Sequence, residues 1–172
     1  MDQTSEQEKK LFSYQDKIDK QYKIFAKNDF ALKLTFFNSM KLILKERDEF
    51  ITDLNNNGID FWERVCQNCQ LLNDLLPDDS EISFIESLKC FYEENYTCGV
   101  EIILKKNEYL YNRKLSKKFN LLENDSEGTE LKTKKETNCL LFDFFKDNDN
   151  DLEVFDILFE IYTNAAQYFF IK

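Results

Sequence analysis

The chain has 172 residues, of which 42% are hydrophobic and 15% aromatic, and its formal net charge is −10 at pH 7. This is enough apolar material for one folded domain with an extension, and no apolar run approaches the roughly 18 residues that a membrane span needs. The absence of such a run predicts a soluble, intracellular protein. With no histidine and only three glycines, the sequence offers neither a histidine-based catalytic triad nor a glycine-rich phosphate loop. We therefore expect a protein that is not an enzyme and uses no cofactor.

The first element along the chain is a long amphipathic helix, predicted from Leu11 to Leu54. Its apolar residues recur with a period of about 3.6, that of a straight α-helix, and no proline or glycine interrupts them. Such a helix is roughly 65 Å long, too long for the rest of the chain to cover, so we expect a homodimer along it. The predicted dimerisation residues are Leu11, Ile18, Tyr22, Phe25, Leu32, Phe36, Met40, Ile43 and Phe50.

A second apolar stripe runs beside the first in the middle of this helix, formed by Phe30, Leu34, Phe37 and Leu44. It is expected to widen the face on which a partner lies. The alternative is a two-helix hairpin that turns at Asn28 and Asp29, because asparagine and aspartate favour turns and caps over helix interiors. The unbroken helix is favoured, since the apolar phase is kept across that point.

Charge is distributed unevenly along the chain. Residues 1–54 hold ten acidic and ten basic side chains, whereas residues 55–172 hold 23 acidic and 13 basic ones. Residues 141–160 alone carry seven acids against Lys146. A concentrated negative surface repels nucleic acid and lipid headgroups and attracts basic partners, although many acidic proteins carry such charge for solubility alone.

The five cysteines raise the question of a metal or redox site. Cys66 and Cys69 form a C-x-x-C pair, but the second pair that a four-cysteine zinc site needs is missing, since Cys90 and Cys98 are eight residues apart. Buried thiols that act as small hydrophobic side chains are the favoured interpretation, with zinc or redox chemistry as the alternatives. The run 147–151 resembles a calcium loop only superficially, because it lacks the central glycine and the final glutamate.

After the long helix, the sequence predicts a helix cap and a second helix. Asn55 to Gly58 form the cap, and Asp60 begins the next helix with Glu63 as its capping-box partner. The predicted buried face of this helix is Phe61, Trp62, Val65, Cys69 and Leu72. A break at residues 77–80 then precedes a short helical turn near residues 81–86.

The apolar period next changes from helical to alternating, which is typical of strands. Strands are predicted over residues 88–93 and 100–105, with a turn from Asn95 to Gly99 between them. A third strand has Leu115, Phe119 and Leu121 on one face, and residues 131–135 form a short fourth strand after a turn at residues 125–128. Short connections imply an antiparallel meander with one face to be covered, here by the apolar residues 140–145 and by an amphipathic terminal helix.

The predicted fold class is therefore α+β. A long dimerisation helix over residues 1–57 precedes an α/β lobe over residues 58–172, in which helices cover a four-stranded antiparallel sheet. At this point the order of elements resembles the NAP/SET family of histone chaperones. The motifs that carry the resemblance are Glu46-Arg47-Asp48, Ile59 to Val65 (IDFWERV), Asn107 to Lys117 (NEYLYNRKLSK), Leu141 to Phe145 (LFDFF) and Tyr168-Phe169-Phe170.

The resemblance implies a homodimer that binds core histones through an acidic surface, shields their charge and escorts them for nucleosome assembly. It implies a nuclear protein, with shuttling to the cytoplasm as an open alternative, and Lys132, Lys134 and Lys135 are a thin remnant of an import signal. Glu108 departs from the family's usual proline, and the family's long acidic tail is not in this sequence, so the folded surface is expected to bind the histones. The candidate histone-binding residues are Glu101, Glu108, Asp143, Asp147, Asp149, Asp151, Glu153 and Glu160.

Two other functions are compatible with the same sequence. One is a regulatory subunit of a chromatin enzyme, such as an acetyltransferase cofactor or a phosphatase inhibitor, as some members of the resembled family are. The other is a coiled-coil scaffold with an accessory domain. Recovery of an enzyme without histones would favour the first, and partner binding that survives deletion of residues 141–172 would favour the second.

Overall fold

A computed structural model describes residues 2–77, 84–146 and 152–171 of the chain. The chain divides into two compact units, residues 1–39 and residues 40–172. The sequence predicts a different boundary, between residues 57 and 58, where the long helix ends. That boundary is not a division into compact units, and it stays a prediction. None of the described helices combines the length and the apolar character needed to cross a membrane.

The first unit is the N-terminal part of helix α1, which runs from Asp2 to Asn56. The helix continues without a break through Asn28 and Asp29, and Asp29 forms an ion pair with Lys33 one turn later (3.1 Å). The long helix is thus confirmed and the hairpin alternative is wrong, because neither residue leaves the helical conformation.

The predicted role of the second apolar stripe of α1, to widen the face on which a partner lies, stays a prediction. Its Leu34 is half-buried. Phe30 and Phe37 of the first unit and Leu44 of the second are each less than one-tenth exposed. Their spacing of seven residues, continued by buried Ile51, places them on one side of the helix.

The second unit begins with the last part of α1 and its predicted cap. Gly58 adopts a φ of +82°, the left-handed conformation that ends helices. Asp60 then begins α2 (Phe61–Asn68), and its side chain accepts a hydrogen bond from the Glu63 amide (3.1 Å). The predicted single helix is two helices, since Cys69 is extended (φ −110°, ψ 100°) and separates α2 from α3 (Gln70–Leu75).

The sheet is an antiparallel meander of four strands in the order β1 (Ile85–Glu93), β2 (Thr97–Leu104), β3 (Lys114–Asn120) and β4 (Asp125–Gly128). Two details of the prediction are wrong. Ile85 and Glu86 belong to β1 rather than to a helical turn, whose residues 81–83 lie outside the described part of the chain. Gly99 lies inside β2, because the turn between β1 and β2 needs only residues 94–96, with Asn95 and Tyr96 at positive φ.

The fourth strand is also not where the sequence placed it. β4 pairs with β3 from Asn120 opposite Asp125 to Lys117 opposite Gly128, whereas the predicted strand at residues 131–135 makes a single bridge between Leu110 and Thr133. The sequence of β4, DSEG, consists of residues that are depleted in strands. Pairing with β3 across the turn at Asn124 (φ 52°) therefore determines this strand, rather than its own residue preferences.

Two helices, α4 (Leu140–Lys146) and α5 (Leu152–Phe170), cover one face of the sheet. The ring of Phe155 in α5 meets Tyr92 of β1 edge-on (centroids 5.7 Å apart) and Phe119 of β3 (5.9 Å). At the other end of α5, Phe169 stacks on Phe61 (4.9 Å). Alternate residues of β1, β2 and β3 are buried on this face, which confirms the predicted alternation.

Candidate functional site

The most extensive exposed apolar feature of the described residues is the first stripe of α1. In the first unit, Leu11, Ile18, Tyr22, Phe25, Leu32 and Phe36 are exposed, from 48% for Ile18 to 70% for Leu32. In the second unit, Ile43 and Phe50 are more than 60% exposed and Met40 is half-buried. Contiguous apolar surface of this kind marks an interaction site, and its residues are those predicted for dimerisation.

Three of the predicted histone-binding carboxylates already have basic partners. Glu101, on the open face of the sheet, pairs with Lys114 (2.8 Å). Glu108 pairs with Lys135 (3.3 Å) and Asp143 pairs with Lys146 (3.3 Å). Each pair is at least partly exposed, so each contributes only about 0–1 kcal/mol, but together they neutralise charge that the sequence alone counts as free.

The other predicted carboxylates lie on or near α5. Glu153 is exposed in the first turn of the helix. Glu160 accepts a hydrogen bond from the Tyr168 hydroxyl (3.2 Å), and burial, Cys69 and this carboxylate together raise the pKa of Tyr168 to about 12. Asp147, Asp149 and Asp151 lie outside the described residues. No histone contact has been tested for any of these carboxylates, so all eight stay predictions.

A different group of acidic residues is brought together at one end of the sheet. The turn after β1 and the turn after β3 lie side by side, since the Leu121 amide donates to the Tyr96 carbonyl (2.9 Å). Because Phe155 packs on Tyr92 and Phe119, close to these turns, α5 begins at the same end. We call the exposed carboxylates there the acidic end: Glu94, Glu123, Asp125, Glu127, Glu153 and Asp156.

The acidic end is poorly compensated by positive charge. Within residues 84–146 and 152–171, no lysine or arginine of the described chain lies within ion-pair distance of its carboxylates, whereas the nearby Glu93 pairs with Lys118 (3.2 Å). Sequence reasoning missed Glu94, Glu123, Asp125 and Glu127, which lie in turns or in a strand that was predicted elsewhere. The pairing of β3 with β4, in which Asn120 lies opposite Asp125, is the feature that would have located Asp125 and Glu127.

The opposite end of the same sheet is rich in bases. The connection from β2 to β3 and the segment after β4 meet there, joined by hydrogen bonds between residues 109–111 and 132–134. Together with Lys114 at the start of β3, they carry seven basic residues, namely Lys105, Lys106, Arg113, Lys114, Lys132, Lys134 and Lys135. Four of these already form ion pairs, namely Lys105 with Asp60, Arg113 with Glu86, Lys114 with Glu101 and Lys135 with Glu108. The same segments also hold Glu130 and Glu136, so the charges of this end largely balance each other.

The cysteines do not form a metal centre among the described residues, where no group of three cysteine, aspartate or glutamate side chains is placed to hold an ion. All five are buried free thiols. Burial raises the pKa of Cys139 to about 11 and that of Cys90 well above its usual value. Since the thiolate is the reactive and metal-binding form, these thiols act as core side chains.

Comparison with known proteins places this geometry in context. No protein-family model matches the chain. A protein of Encephalitozoon cuniculi (strain GB-M1), itself described as uncharacterized, is 30% identical over 166 residues, which cover 94% of this chain and 92% of that protein.

Solved structures with the same fold include Nucleosome Assembly Protein 1 from Plasmodium knowlesi, with a TM-score of 0.57, 19% identity, and coverage of 98% of this chain and 97% of that one. Nucleosome assembly protein S from Plasmodium falciparum has a TM-score of 0.55 and 20% identity, covering 94% of this chain and 98% of that one. These similarities establish a fold that the two structures share with this chain over nearly its whole length.

Proposed function

We propose that this chain, which belongs to the same protein family as the Encephalitozoon cuniculi protein and has the fold of the nucleosome assembly proteins, is a histone chaperone. In this proposal it binds core histones, shields their positive charge and delivers them for nucleosome assembly, without catalysis and without a cofactor. A nuclear location follows from the same proposal. The observation that supports it best is the acidic end, a set of exposed carboxylates that form no ion pair among the described residues, although Lys118 lies opposite Glu127.

The proposed mechanism is electrostatic competition with DNA. An exposed ion pair contributes only about 0–1 kcal/mol, so useful affinity requires many carboxylates that act on one basic partner. A cluster at the end of a rigid sheet meets this need, because its charges are held in place before the partner arrives. Salt at physiological strength screens exposed charges beyond about 8 Å, so the complex is expected to weaken as salt rises.

Dimerisation gives the proposed chaperone two such surfaces. The exposed stripe of α1 supplies an apolar face for a second copy, and each copy contributes one acidic end. In the proposal, the two acidic ends of the protein dimer act on one core histone dimer, which exposes lysine and arginine over an extended area. Linking two weak sites in this way raises the overall affinity without any new type of contact.

The test compares two variants with the same change in charge. The first neutralises four of the six carboxylates of the acidic end, by Glu94→Gln, Glu123→Gln, Asp125→Asn and Glu127→Gln. The second neutralises four carboxylates that already have basic partners, by Glu86→Gln, Glu93→Gln, Glu101→Gln and Glu108→Gln. Affinity for labelled core histone dimers is measured by fluorescence anisotropy at about 0.1 M salt, where the Debye length is about 10 Å, and at a higher salt concentration.

At roughly 0.5 kcal/mol for each exposed pair, loss of four pairs weakens binding by about 30-fold. We expect that loss for the first variant and less than about a threefold loss for the second, whose carboxylates are already engaged. Equal losses would show that only net charge matters and would remove the acidic end from the proposal. A wild-type protein that neither binds histones at low salt nor prevents their precipitation with DNA is not a histone chaperone.

A further inference from the structure

The link between α1 and α2 contains the one Asn-Gly pair of the sequence, Asn57-Gly58. Asparagine is a thermolabile residue, and it loses its side-chain amide most readily before glycine. The reason is that glycine has no side chain to keep its backbone nitrogen away from the preceding carboxamide. Both residues are exposed, and a Cβ added to Gly58 would meet no atom of the described residues within 4 Å. The pair is therefore accessible to the water that this reaction consumes.

Hydrogen bonds engage both reacting groups in the folded chain. The side-chain nitrogen of Asn57 donates to the Asp53 carbonyl (2.7 Å), one turn earlier in α1. The Gly58 amide, which would have to attack the Asn57 carboxamide, donates instead to the Asn55 carbonyl (3.1 Å). Reaction between Asn57 and Gly58 therefore requires these bonds to open.

A second set of hydrogen bonds determines how often the link opens. The Asn55 side chain accepts from the Phe61 amide (3.1 Å) and donates to the Glu86 carbonyl (3.4 Å). The Ile59 amide donates to the Leu54 carbonyl (3.0 Å). These bonds fasten the end of α1 to the start of α2 and to β1. Since local segments open more readily than a whole protein unfolds, the bonds of Asn55 control the release of the reactive pair.

We propose that Asn57 is a site of spontaneous deamidation in the folded protein, and that opening of the link around Asn55 controls its rate. The Gly58 nitrogen bonds to Cγ of Asn57, and the bond from Cγ to Nδ2 breaks. The amide proton of Gly58 leaves with Nδ2 as ammonia, which forms a cyclic imide. Water then opens the imide at either carbonyl and gives aspartate or isoaspartate.

Either product disturbs the end of α1. It replaces the donor to the Asp53 carbonyl by a carboxylate, and negative charge is unfavourable at the C-terminal end of a helix. Isoaspartate also lengthens the main chain by one carbon, just before Asp60 caps α2. We therefore expect the isoaspartate form to unfold at a lower urea concentration than Asn57→Asp, which has the charge without the longer main chain.

The experiment incubates the full chain at mildly alkaline pH, where the attacking nitrogen loses its proton more readily, and follows the products by peptide mass spectrometry. Trypsin releases Asp48 to Arg64 as one peptide, so Asn55 and Asn56 are internal controls for Asn57. Methylation by an isoaspartyl methyltransferase identifies isoaspartate. We expect conversion at Asn57 before any other asparagine of the chain. Earlier conversion at a different asparagine would overturn the assignment.

Control by folding is tested on the unaltered chain, in native buffer and in guanidinium chloride above its unfolding transition. We expect reaction at Asn57 to be at least tenfold slower in the native chain, since only the open fraction reacts. Equal rates would show that the hydrogen bonds around Asn57 exert no control. A native chain that forms no product, even long after the unfolded chain has reacted completely, would show that the folded protein is not modified.

Substitution of Asn55 tests the link directly. Asn55→Ala removes both side-chain bonds and leaves Asn57 and Gly58 unchanged, whereas Asn73→Ala removes an exposed asparagine of α3 and is the matched control. We expect the rate at Asn57 to rise about tenfold in the first variant, which corresponds to about 1.4 kcal/mol, and less than twofold in the second. Equal rates in the two variants would overturn the role of Asn55. Circular dichroism confirms that each variant is folded.

Discussion

The phenolic hydroxyl of Tyr162 in α5 donates a hydrogen bond of 2.8 Å to the carboxylate of Asp48 in α1. Arg47 completes the arrangement, because its guanidinium pairs with Asp48 (2.8 Å), lies over the Tyr162 ring (4.6 Å) and donates to the Tyr162 carbonyl (2.6 Å). The two charged side chains are less than one-fifth exposed. The Glu46-Arg47-Asp48 motif therefore fixes the end of α1 to the helix that covers the sheet.

Removal of the Tyr162 hydroxyl should destabilise the second unit. Tyr162→Phe keeps the ring but leaves one oxygen of a largely buried carboxylate without its donor, and hydrogen bonds to charged groups contribute about 1.5–3 kcal/mol. We expect the free energy of unfolding in urea to fall by about that amount, measured at one fixed protein concentration because association shifts apparent stability. The control is Tyr111→Phe, at a tyrosine that is 68% exposed, where no more than about 0.5 kcal/mol is expected. Equal decreases in the free energy of unfolding for the two variants would show that the hydrogen bond to Asp48 does not stabilise the fold.

The same tyrosine should make the fold sensitive to alkali. Burial, and then the charge and hydrogen bond of Asp48, raise the pKa of Tyr162 well above its ordinary value near 10. A raised folded-state pKa gives stability that is complete below pH 10 and is lost as the pH rises toward that pKa. Above pH 10 the wild type should lose about 1.4 kcal/mol per pH unit more than Tyr162→Phe. Parallel stability curves for the two proteins between pH 10 and 11.5 would contradict this assignment.

The parts of the fold that the sequence predicts correctly are those set by local patterns. The period of α1, the cap at Asp60 and the left-handed Gly58 depend on residues within one or two turns of each other. The break at Cys69 and the position of β4 depend on contacts with distant elements, so their own residues carry no signal for them. The acidic end has the same origin, because only the strand register brings Glu94 and Glu127 to one end of the sheet.

Lys117 is buried, although lysine side chains usually lie on the surface. It occupies the apolar face of β3 between Leu115 and Phe119 and is only 1% exposed. Its ammonium group donates to the Phe144 carbonyl near the end of α4 (2.5 Å) and lies over the Phe144 ring (4.7 Å). A lysine in a strand usually indicates the solvent face, so the alternating pattern gives no sign of this bond between sheet and helix.

Replacement of that ammonium group should loosen α4. Lys117→Met keeps most of the side-chain volume but leaves the Phe144 carbonyl without its donor, and an unsatisfied buried group costs about 1–3 kcal/mol. We expect a decrease of that size in the free energy of unfolding, together with faster amide exchange in residues 140–146. The neighbouring Lys118→Met changes an exposed lysine and should cost less than about 1 kcal/mol. A more stable Lys117→Met protein would show that desolvation of the amine exceeds the value of its bond.

The apolar stripe of α1 should hold two copies of the chain together. We expect light scattering at micromolar concentration to give a mass of about 41 kDa, twice the 20.7 kDa of one chain. Phe25→Asp with Phe36→Asp puts two charges into the stripe, and burial of an unpaired charge is strongly unfavourable, so the mass should fall to that of one chain. Ala31→Asp with Asn38→Asp adds the same charge at exposed positions on another face of the helix and should leave the dimer intact. A wild-type mass near 20.7 kDa, or dissociation by both pairs of substitutions, would show that this stripe is not the dimer interface.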